Sequence, residues 1–500
     1  MGVKSFFGKQ FAKYIVKTDE QWISNPIKAQ EKLLKNLILT GKKTKFGLGH
    51  NFQNIKNYNE FKQHVPVYCY ETLKPYIIKI IKGKSNVLWP GVPLYFAKTS
   101  GTTSGEKLIP ITKESINNHI YGARNALLHY IVDTGNVHFV NGKMIFLQGS
   151  PILKKEGHIP SGRLSGIVDH HIPAYLQKNK MPSPKTNSLP SWEDKIDKIV
   201  WETESENMTL ISGIPPWVKM YFEKLVKIKQ KSICDIFPNF SVFVHGGVNF
   251  RPYKNTFNKL IGEKVDSIEL YPASEGFFAF QNSQDDDGLL LLLNSGIFYE
   301  FIRVDEYFNS QQDRITIEHV DLNVNYVMLV TSNAGLWAYS TEDIITFTSI
   351  RPYKIRVLGR IKHFISAFGE HVIASEVEYS IRQACNKFNI EVEEFTVAPQ
   401  VNPKKGLPHH EWYIEFKKEP KSLIHFSNEI DKCLQFKNSY YKDLVQGRVL
   451  KKPSIFLVKR GGFTSYMKAI GKFGGQNKVV HLSNNRLIAD KLVEFIYGNN

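Results

Sequence analysis

The segment "DSIELYPASEG", Asp266 to Gly276, is an apolar strand-sized run that ends in small and polar residues. Two other segments share this pattern, "KMIFLQG" at Lys143 to Gly149 and "FSVFVHGG" at Phe240 to Gly247. Helical stretches separate the three runs, and short apolar strands that alternate with helices are typical of an α/β fold. Since ligands in such folds bind at the carboxyl ends of the strands, the polar residues there are candidate site residues.

The rest of the chain predicts one large and one small domain. The first ~40 residues are predicted to be helical. In "IKAQEKLLKNLILTG" the apolar residues have helical spacing, and the predicted helix ends at Gly41. Strand-rich sequence after Leu289 leads to a predicted boundary near "RVLGRIKHFI", Arg356 to Ile365. Helices alternate beyond it with strands such as "EVEEFTVAP" and "HHEWYIEF". We therefore predict a large α/β domain over residues 1–359, with mixed sheets and helices, and a small α+β domain over 360–500.

The formal net charge of +18 over 500 residues raises the question of nucleic-acid binding. Most of the basic residues are lysines, and they are scattered along the chain. Recognition of bases and phosphates favours arginines, and it favours basic residues that cluster into a patch. The charge therefore predicts attraction of anionic small molecules, with no nucleic-acid partner.

Composition also indicates a cytoplasmic protein without a membrane partner. No apolar run reaches the roughly 18 residues that span a bilayer, and the start lacks the apolar block of a signal peptide. The four cysteines form no C-x-x-C pair, so they predict buried thiols in a reducing compartment and no zinc site. We expect a monomer or a weak homo-oligomer.

A second unusual stretch is "YFAKTSGTTSGEKLIPIT", Tyr95 to Thr112, in which hydroxyl residues and glycines run from Ser100 to Gly105 and Lys107 follows. The glycine spacing is not that of a Walker loop. Small residues do let backbone amides turn toward phosphate oxygens. The composition predicts either a phosphate-binding loop or a plain Ser/Thr-rich turn.

Two carboxylates of interest follow predicted strands. Glu275 is the one charge in "LYPASEGFFAF" and predicts either a Mg²⁺ ligand or a structural ion pair. Tyr271 in the same stretch could stack on a nucleobase. Asp343 in "WAYSTEDIITFT" predicts either a ribose-binding carboxylate or a turn residue bonded to its own backbone.

The order and spacing of these motifs resemble those of adenylate-forming enzymes. Within that superfamily the chain resembles the Gretchen Hagen family of acyl-acid–amido synthetases, and its bacterial branch more than its plant enzymes. The resemblance covers nearly the whole chain and includes several further segments: "NPIKAQEKLL" (Asn25 to Leu34), "VPVYCYETLKPYI" (Val65 to Ile77), "SGIPPWV" (Ser212 to Val218) and "GGQNKVVHLSNNR" (Gly474 to Arg486).

The resemblance implies an ATP- and Mg²⁺-dependent reaction in two steps. A small carboxylic acid attacks ATP, giving an acyl-adenylate and pyrophosphate, and the amine of an amino acid then displaces AMP. In the family the small domain is a mobile lid over the large domain, and Arg360 matches the hinge between them. Glu275 matches the Mg²⁺ ligand, and Lys478 matches a lid lysine that reaches the phosphates; these two are the implied catalytic residues. The implied nucleotide-binding residues are Ser100, Gly101, Thr102, Thr103, Tyr271, Ser274, Glu275, Asp343, Arg360 and Lys478.

Several positions depart from the family pattern or leave alternatives open. Glu342 stands where the family has glycine, and a positive φ there would strain a glutamate. Val480 and His481 replace a usual Pro-Arg pair. Arg124 lies on a predicted helix that borders the acid in the family, and it either pairs with a substrate carboxylate or lies on the surface. The alternative functions are an acyl-CoA-forming ligase and a non-catalytic nucleotide- or acyl-binding relative.

Overall fold

The computed structural model describes residues 3–100, 106–172, 177–189, 192–247, 250, 253–307, 312–361, 364–365, 372–401, 403–446, 450–471, 478–483 and 485–497. The chain forms two compact units. The large unit holds residues 1–341 and 345–356, and the small unit holds residues 342–344 and 357–500. The division into domains over residues 1–359 and 360–500 stays a prediction.

The large unit combines helices with a long sheet. Its helices are α1 (Val3–Ser24), α2 (Pro26–Gly41), α3 (Lys45–Gly49), α4 (Tyr58–His64), α5 (Tyr70–Ile81), α6 (Lys113–Thr134), α7 (Leu164–Asp169), α8 (Pro184–Asn187), α9 (Trp192–Thr203), α10 (Pro215–Lys229), α11 (Ile233–Ile236) and α12 (Lys254–Ile261). Its strands are β1 (Tyr95–Ser100), β2 (Glu106–Ile111), β3 (Lys143–Leu147), β4 (Lys154–Glu156), β5 (Ile159–Gly162), β6 (Lys180–Met181), β7 (Met208–Gly213), β8 (Val242–Gly246), β9 (Asp266–Ala273), β10 (Gly276–Gln281), β11 (Leu289–Leu291), β12 (Ile297–Arg303) and β13 (Asn325–Ser332). Strands β14 (Tyr339–Ile350) and β15 (Tyr353–Arg360) carry residues of both units.

An eleven-stranded sheet has the order β12-β13-β14-β15-β11-β10-β9-β8-β7-β3-β6. Strands β6, β3, β7, β8 and β9 are parallel neighbours, and β10 returns antiparallel to β9. The carboxyl ends of β3, β7, β8 and β9 therefore meet at one edge of the sheet, which is where α/β folds bind ligands.

The core beside this edge forms between the parallel strands and α10. Ile145, Ile211 and Phe243 of the strands are buried in one cluster with Val218 and Phe222 of α10. Pro215 starts α10, where a missing amide proton costs nothing because the first amides of a helix have no intrahelical partner. This packing fixes the carboxyl ends of β3, β7 and β8 relative to one another.

Helix α6 follows β2 and packs closely on β10. Its amino end has a capping box, since the Ser115 amide donates to the Thr112 hydroxyl at 3.0 Å and the Thr112 amide donates to the Ser115 hydroxyl at 2.9 Å. Gly122 makes the close approach possible, because a Cβ there would lie 2.4 Å from the Phe277 ring. Any side chain at this position would push the helix off the sheet.

The small unit is an α+β structure with its own core. Its elements are β16 (Phe364–Ile365), β17 (Val372–Ile373), α13 (Ala374–Phe388), β18 (Glu391–Gln400), β19 (His409–Lys418), α14 (Leu423–Lys437), α15 (Ser439–Gln446), β20 (Ser454–Leu457), α16 (Gly462–Ala469) and α17 (Leu487–Leu492). Strands β18 and β19 are antiparallel, and β20 lies parallel to β19. Val377 of α13, Trp412 of β19 and Ile430 of α14 are buried in this core.

The predicted α/β class is confirmed, with a large N-terminal unit and a smaller C-terminal one. The three apolar segments that end in small or polar residues form β3, β8 and β9. The predicted helical start of the chain forms α1 and α2. The four cysteines, which the sequence predicts to be buried, are free thiols of intermediate burial. Among the described residues, no helix has both the length and the apolar character needed to cross a membrane.

Candidate functional site

The predicted Tyr-x-x-Ser-Glu motif lies at the carboxyl end of β9. Ala273 of β9 pairs with Gly276 of β10, so Ser274 and Glu275 form the two-residue turn between paired strands. The Glu275 side chain is buried. Tyr271 is buried as well, and its ring meets the Phe278 ring edge-on with centroids 5.0 Å apart. The fold therefore holds a carboxylate and an aromatic ring at the binding edge of the parallel strands.

His245 lies near the same edge, next to the last residue of β8, and sequence reasoning missed it. The side chain is buried, and burial lowers its pKa to about 3, so the imidazole is neutral at pH 7. Within the described residues its Nδ1 has no hydrogen-bond partner. The signal in the sequence is the position of His245, a polar residue just before the two glycines that end an apolar strand. A neutral imidazole at this position can donate to or accept from a bound ligand.

The hydroxyl-rich stretch lies between two antiparallel strands. Ser100 ends β1 and pairs with Glu106 at the start of β2. Gly101, Thr102 and Thr103 lie outside the described residues, so the predicted phosphate loop itself stays a prediction. Lys107 is buried in β2, and its amine lies over the Tyr70 ring, 5.7 Å from the centroid.

In the small unit the structure brings together three predicted residues that are far apart in sequence. The Arg360 guanidinium donates to the Asp343 carboxylate over 2.9 Å, and Asp343 is buried while Arg360 is partly exposed. Lys478 is an exposed residue, and desolvation of its amine together with the positive charge of Arg360 lowers the pKa of Lys478 to about 8. Gly359, beside Arg360, has φ 149°, a backbone conformation that favours glycine. One carboxylate and two cations thus form the small-unit group, Asp343, Arg360 and Lys478.

Glu342 precedes Asp343 and adopts a left-handed conformation with φ 63°. The glutamate is buried, and its carbonyl accepts a hydrogen bond of 2.7 Å from the Ile361 amide. Left-handed backbone costs an L-residue roughly 1–2 kcal/mol, whereas glycine adopts it freely. The strain that the sequence predicts for a positive φ at this position is therefore present.

Arg124 lies on α6, where its guanidinium contacts protein groups. It lies over the Tyr121 ring at 4.7 Å and over the Phe11 ring at 5.6 Å, and it donates two hydrogen bonds to the Asn125 side chain. These contacts hold the guanidinium against aromatic rings of α1 and α6. A role for Arg124 in binding a substrate carboxylate stays a prediction.

Glu275 is the predicted metal ligand. Within the described residues there is no group of three or more His, Cys, Asp or Glu side chains placed to hold a metal ion. A lone buried carboxylate still fits Mg²⁺, which proteins commonly bind through one or two carboxylates while substrate phosphates and water complete the shell.

Several solved enzyme structures share the overall fold of this chain. The GH3.15 acyl acid amido synthetase superposes with a TM-score of 0.80 at 15% identity, over 97% of this chain and 96% of that chain. The same enzyme was solved in complex with 2,4-DB, with a TM-score of 0.79. A 2-hydroxyisobutyryl-CoA ligase in the postadenylation state gives a TM-score of 0.57 at 12% identity, over 85% of this chain and 84% of that chain. At these identities the likeness establishes the fold.

Sequence comparison then identifies the family. The GH3 family N-terminal domain matches residues 16–189, the central domain matches residues 290–360 and the C-terminal domain matches residues 375–487. The chain therefore belongs to the GH3 family, as its motifs predict. An Arabidopsis thaliana indole-3-acetic acid-amido synthetase, GH3.2, is 32% identical over 100 residues, which span 20% of this chain and 18% of that protein. That relative is thus matched over less than a fifth of its length.

Proposed function

We propose that this protein is an ATP-dependent acyl acid amido synthetase. It activates a small carboxylic acid as an acyl-adenylate, releases pyrophosphate, and transfers the acyl group to the amine of an amino acid. Membership of the GH3 family supports this assignment, because its three domain models match in order along the chain. Placement in the bacterial branch of the family stays a prediction.

The observation that carries the proposal is the small-unit group. Asp343 and Arg360 form an ion pair, and Lys478 lies within electrostatic range of Arg360 although more than a hundred residues separate them in sequence. A carboxylate can bind both hydroxyls of a ribose, and the two cations can bind phosphate oxygens. These are the groups that a nucleotide presents. We assign ribose binding to Asp343 and phosphate binding to Arg360 and Lys478.

The large unit supplies the remaining roles. We assign the phosphates of ATP to the loop that Ser100 begins, with Gly101, Thr102 and Thr103, and the adenylate to Tyr271 and Ser274. Glu275 would hold the Mg²⁺, whose charge offsets that of the phosphates. Displacement at a phosphorus atom depends mainly on positioning and charge stabilisation, which fits a site without a covalent nucleophile.

The decisive experiment is a pyrophosphate-release screen with ATP and Mg²⁺, in which a panel of carboxylic acids is crossed with amino acids. We expect pyrophosphate to appear with a subset of acids even without an amine, and AMP and an amide to accumulate when the amine is added. Binding of ATP without pyrophosphate release for any acid would contradict the proposal and favour a non-catalytic nucleotide-binding relative.

The fold likeness to a CoA ligase makes the thiol acceptor the alternative to test in the same screen. Coenzyme A replaces the amino acid in a parallel arm, and mass spectrometry of the acyl product separates an amide from a thioester. Hydroxylamine cleaves the thioester and leaves the amide intact. A thioester as the sole product would overturn the amido assignment while keeping the adenylation step.

A further inference from the structure

The segment that carries Lys478 is joined to the edge of the small-unit sheet by backbone hydrogen bonds. The Val397 amide of β18 donates to the His481 carbonyl at 2.9 Å, and the Ser483 amide donates to the Val397 carbonyl at 3.0 Å. The Thr396 hydroxyl donates to the Val480 carbonyl at 2.6 Å. Residues 480–483 therefore run beside β18, which they meet in a single parallel bridge between Val397 and Leu482.

His481 is the side chain that fixes this segment across two elements. Its Nδ1 bonds the Glu378 carboxylate of α13 at 3.1 Å, and its Nε2 bonds the Glu394 carboxylate of β18 at 2.9 Å. The imidazole also stacks on the Phe395 ring, with centroids 4.3 Å apart and the planes inclined by 24°. Both ring nitrogens face carboxylates, so both must donate, and that requires the imidazolium form.

The surrounding charges favour the same form. Burial by itself would lower the pKa of His481, but the carboxylates of Glu394 and Glu378 outweigh it and raise the pKa to about 10. These two glutamates are the titratable groups that bond the ring from α13 and from β18. His481 is therefore a fixed cation at physiological pH, and its charge does not switch between pH 6 and 8.

We propose that His481 is a positioning residue, which holds the chain beside β18 so that Lys478, three residues earlier, is presented at a defined place on the small unit. Three residues span at most about 11 Å, so an anchor at position 481 restricts where the Lys478 backbone can lie. The inference rests on the proposed adenylation role of Lys478. It assigns a function to one of the positions at which this chain departs from its family pattern.

The catalytic test compares His481→Gln with His481→Arg. The glutamine is neutral and leaves two carboxylates without their shared cation, whereas the arginine restores a cation with several donors. We expect His481→Gln to lower the rate constant of acid-dependent pyrophosphate exchange about tenfold with little change in the KM for ATP, because a misplaced lysine loses transition-state contacts. We expect His481→Arg to recover most of the rate.

A double-mutant cycle with Lys478→Ala then separates positioning from general damage. If His481 acts through Lys478, His481→Gln adds little to the loss that Lys478→Ala already causes. An additional loss equal to the full single-variant factor would overturn the proposal. So would wild-type exchange in His481→Gln.

A second measurement does not depend on activity, so it keeps the inference testable should the proposed function fail. Hydrogen exchange measures the protection of the Val397 and Ser483 amides, whose hydrogen bonds join the segment to β18. We expect both to exchange at least about tenfold faster in His481→Gln, with the amide of Trp412 in β19 as the unaffected reference. Unchanged protection at Val397 and Ser483 in His481→Gln would overturn the anchoring role, whether or not the wild type is active. If the wild type is inactive but these amides exchange faster in His481→Gln, the result counts against the proposed function alone.

Discussion

The two groups of predicted site residues rest on different kinds of support. In the large unit, Glu275 lies in a two-residue turn whose flanking residues, Ala273 and Gly276, pair within an eleven-stranded sheet. In the small unit, Asp343 of β14 and Arg360 of β15 form an ion pair, and the Lys478 segment is joined to β18 by backbone hydrogen bonds and through His481. Backbone pairing supports both groups, and the small-unit group depends in addition on side-chain charge.

The difference matters for how each group responds to change. Backbone ladders keep their geometry over a wide range of pH and salt, so we expect a substitution at Glu275 to leave the backbone of its turn in place. Ion pairs couple their members, so a change at one small-unit residue alters the position or the charge of the others. We therefore expect large, local effects in the large unit and smaller, coupled, pH-dependent effects in the small unit.

The largest effect is expected for Glu275→Gln, which keeps the shape of the side chain and removes its charge. Pyrophosphate exchange should fall by about 10²–10³-fold, the usual cost of losing one electrostatic contact to the reacting group. Asp266→Asn is the matched control, because Asp266 lies at the opposite end of β9 and accepts a bond from the Tyr130 hydroxyl at 2.8 Å. Equal losses in both variants would show that the Glu275 effect is structural.

The next effect is expected for Asp343→Asn, which removes the charged partner of Arg360. Hydrogen bonds to charged groups contribute about 1.5–3 kcal/mol, so the KM for ATP should rise by about 10- to 100-fold. Asp286→Asn is the control, since it breaks an ion pair of 2.7 Å with Lys354 in the large unit. A similar rise in that control would contradict the nucleotide-binding role of Asp343.

The pH profile of Lys478 tests the small-unit group more finely. With a pKa of about 8 the amine is charged below pH 8 and loses its proton as the pH rises through that value. Adenylation that depends on this charge should decline above pH 8 in the wild type. In Lys478→Arg the charge persists, because the guanidinium titrates far above this range, and the decline should disappear. Identical profiles for the two proteins would exclude Lys478 as the titrating cation.

Much of the backbone could be predicted from the sequence. The apolar runs that end in glycine or small polar residues form β3, β8 and β9. Glu275 lies at the end of the third of these runs, so the sequence predicts its position at a strand end. The strain at Glu342 was also predictable, because a residue in a glycine position implies the backbone conformation that the structure has. These inferences succeed because period, turn chemistry and φ preference are local properties.

The partners of individual side chains could not be predicted in this way. His481 finds its carboxylates on α13 and β18, about a hundred residues earlier in the chain, and Arg124 finds the Phe11 ring of α1. Nothing near either residue in the sequence indicates these contacts, which depend on how the elements pack. His245 was missed for a related reason, since only its burial at a strand end makes it a candidate.

The smallest effect is expected at Glu342, and it separates backbone strain from charge. Glu342→Gly removes the cost of φ 63° but adds backbone freedom to the unfolded chain, so the net stabilisation should be about 1 kcal/mol or less, seen in the denaturation midpoint. Glu342→Ala keeps a Cβ in the left-handed backbone while removing the carboxylate next to Asp343. A gain in stability confined to glycine identifies strain as the cause. A gain in ATP affinity shared by both variants identifies repulsion between the carboxylate and the nucleotide. If neither variant differs from the wild type in stability or affinity, the glutamate is fully accommodated, and the small-unit group tolerates this departure from the family pattern.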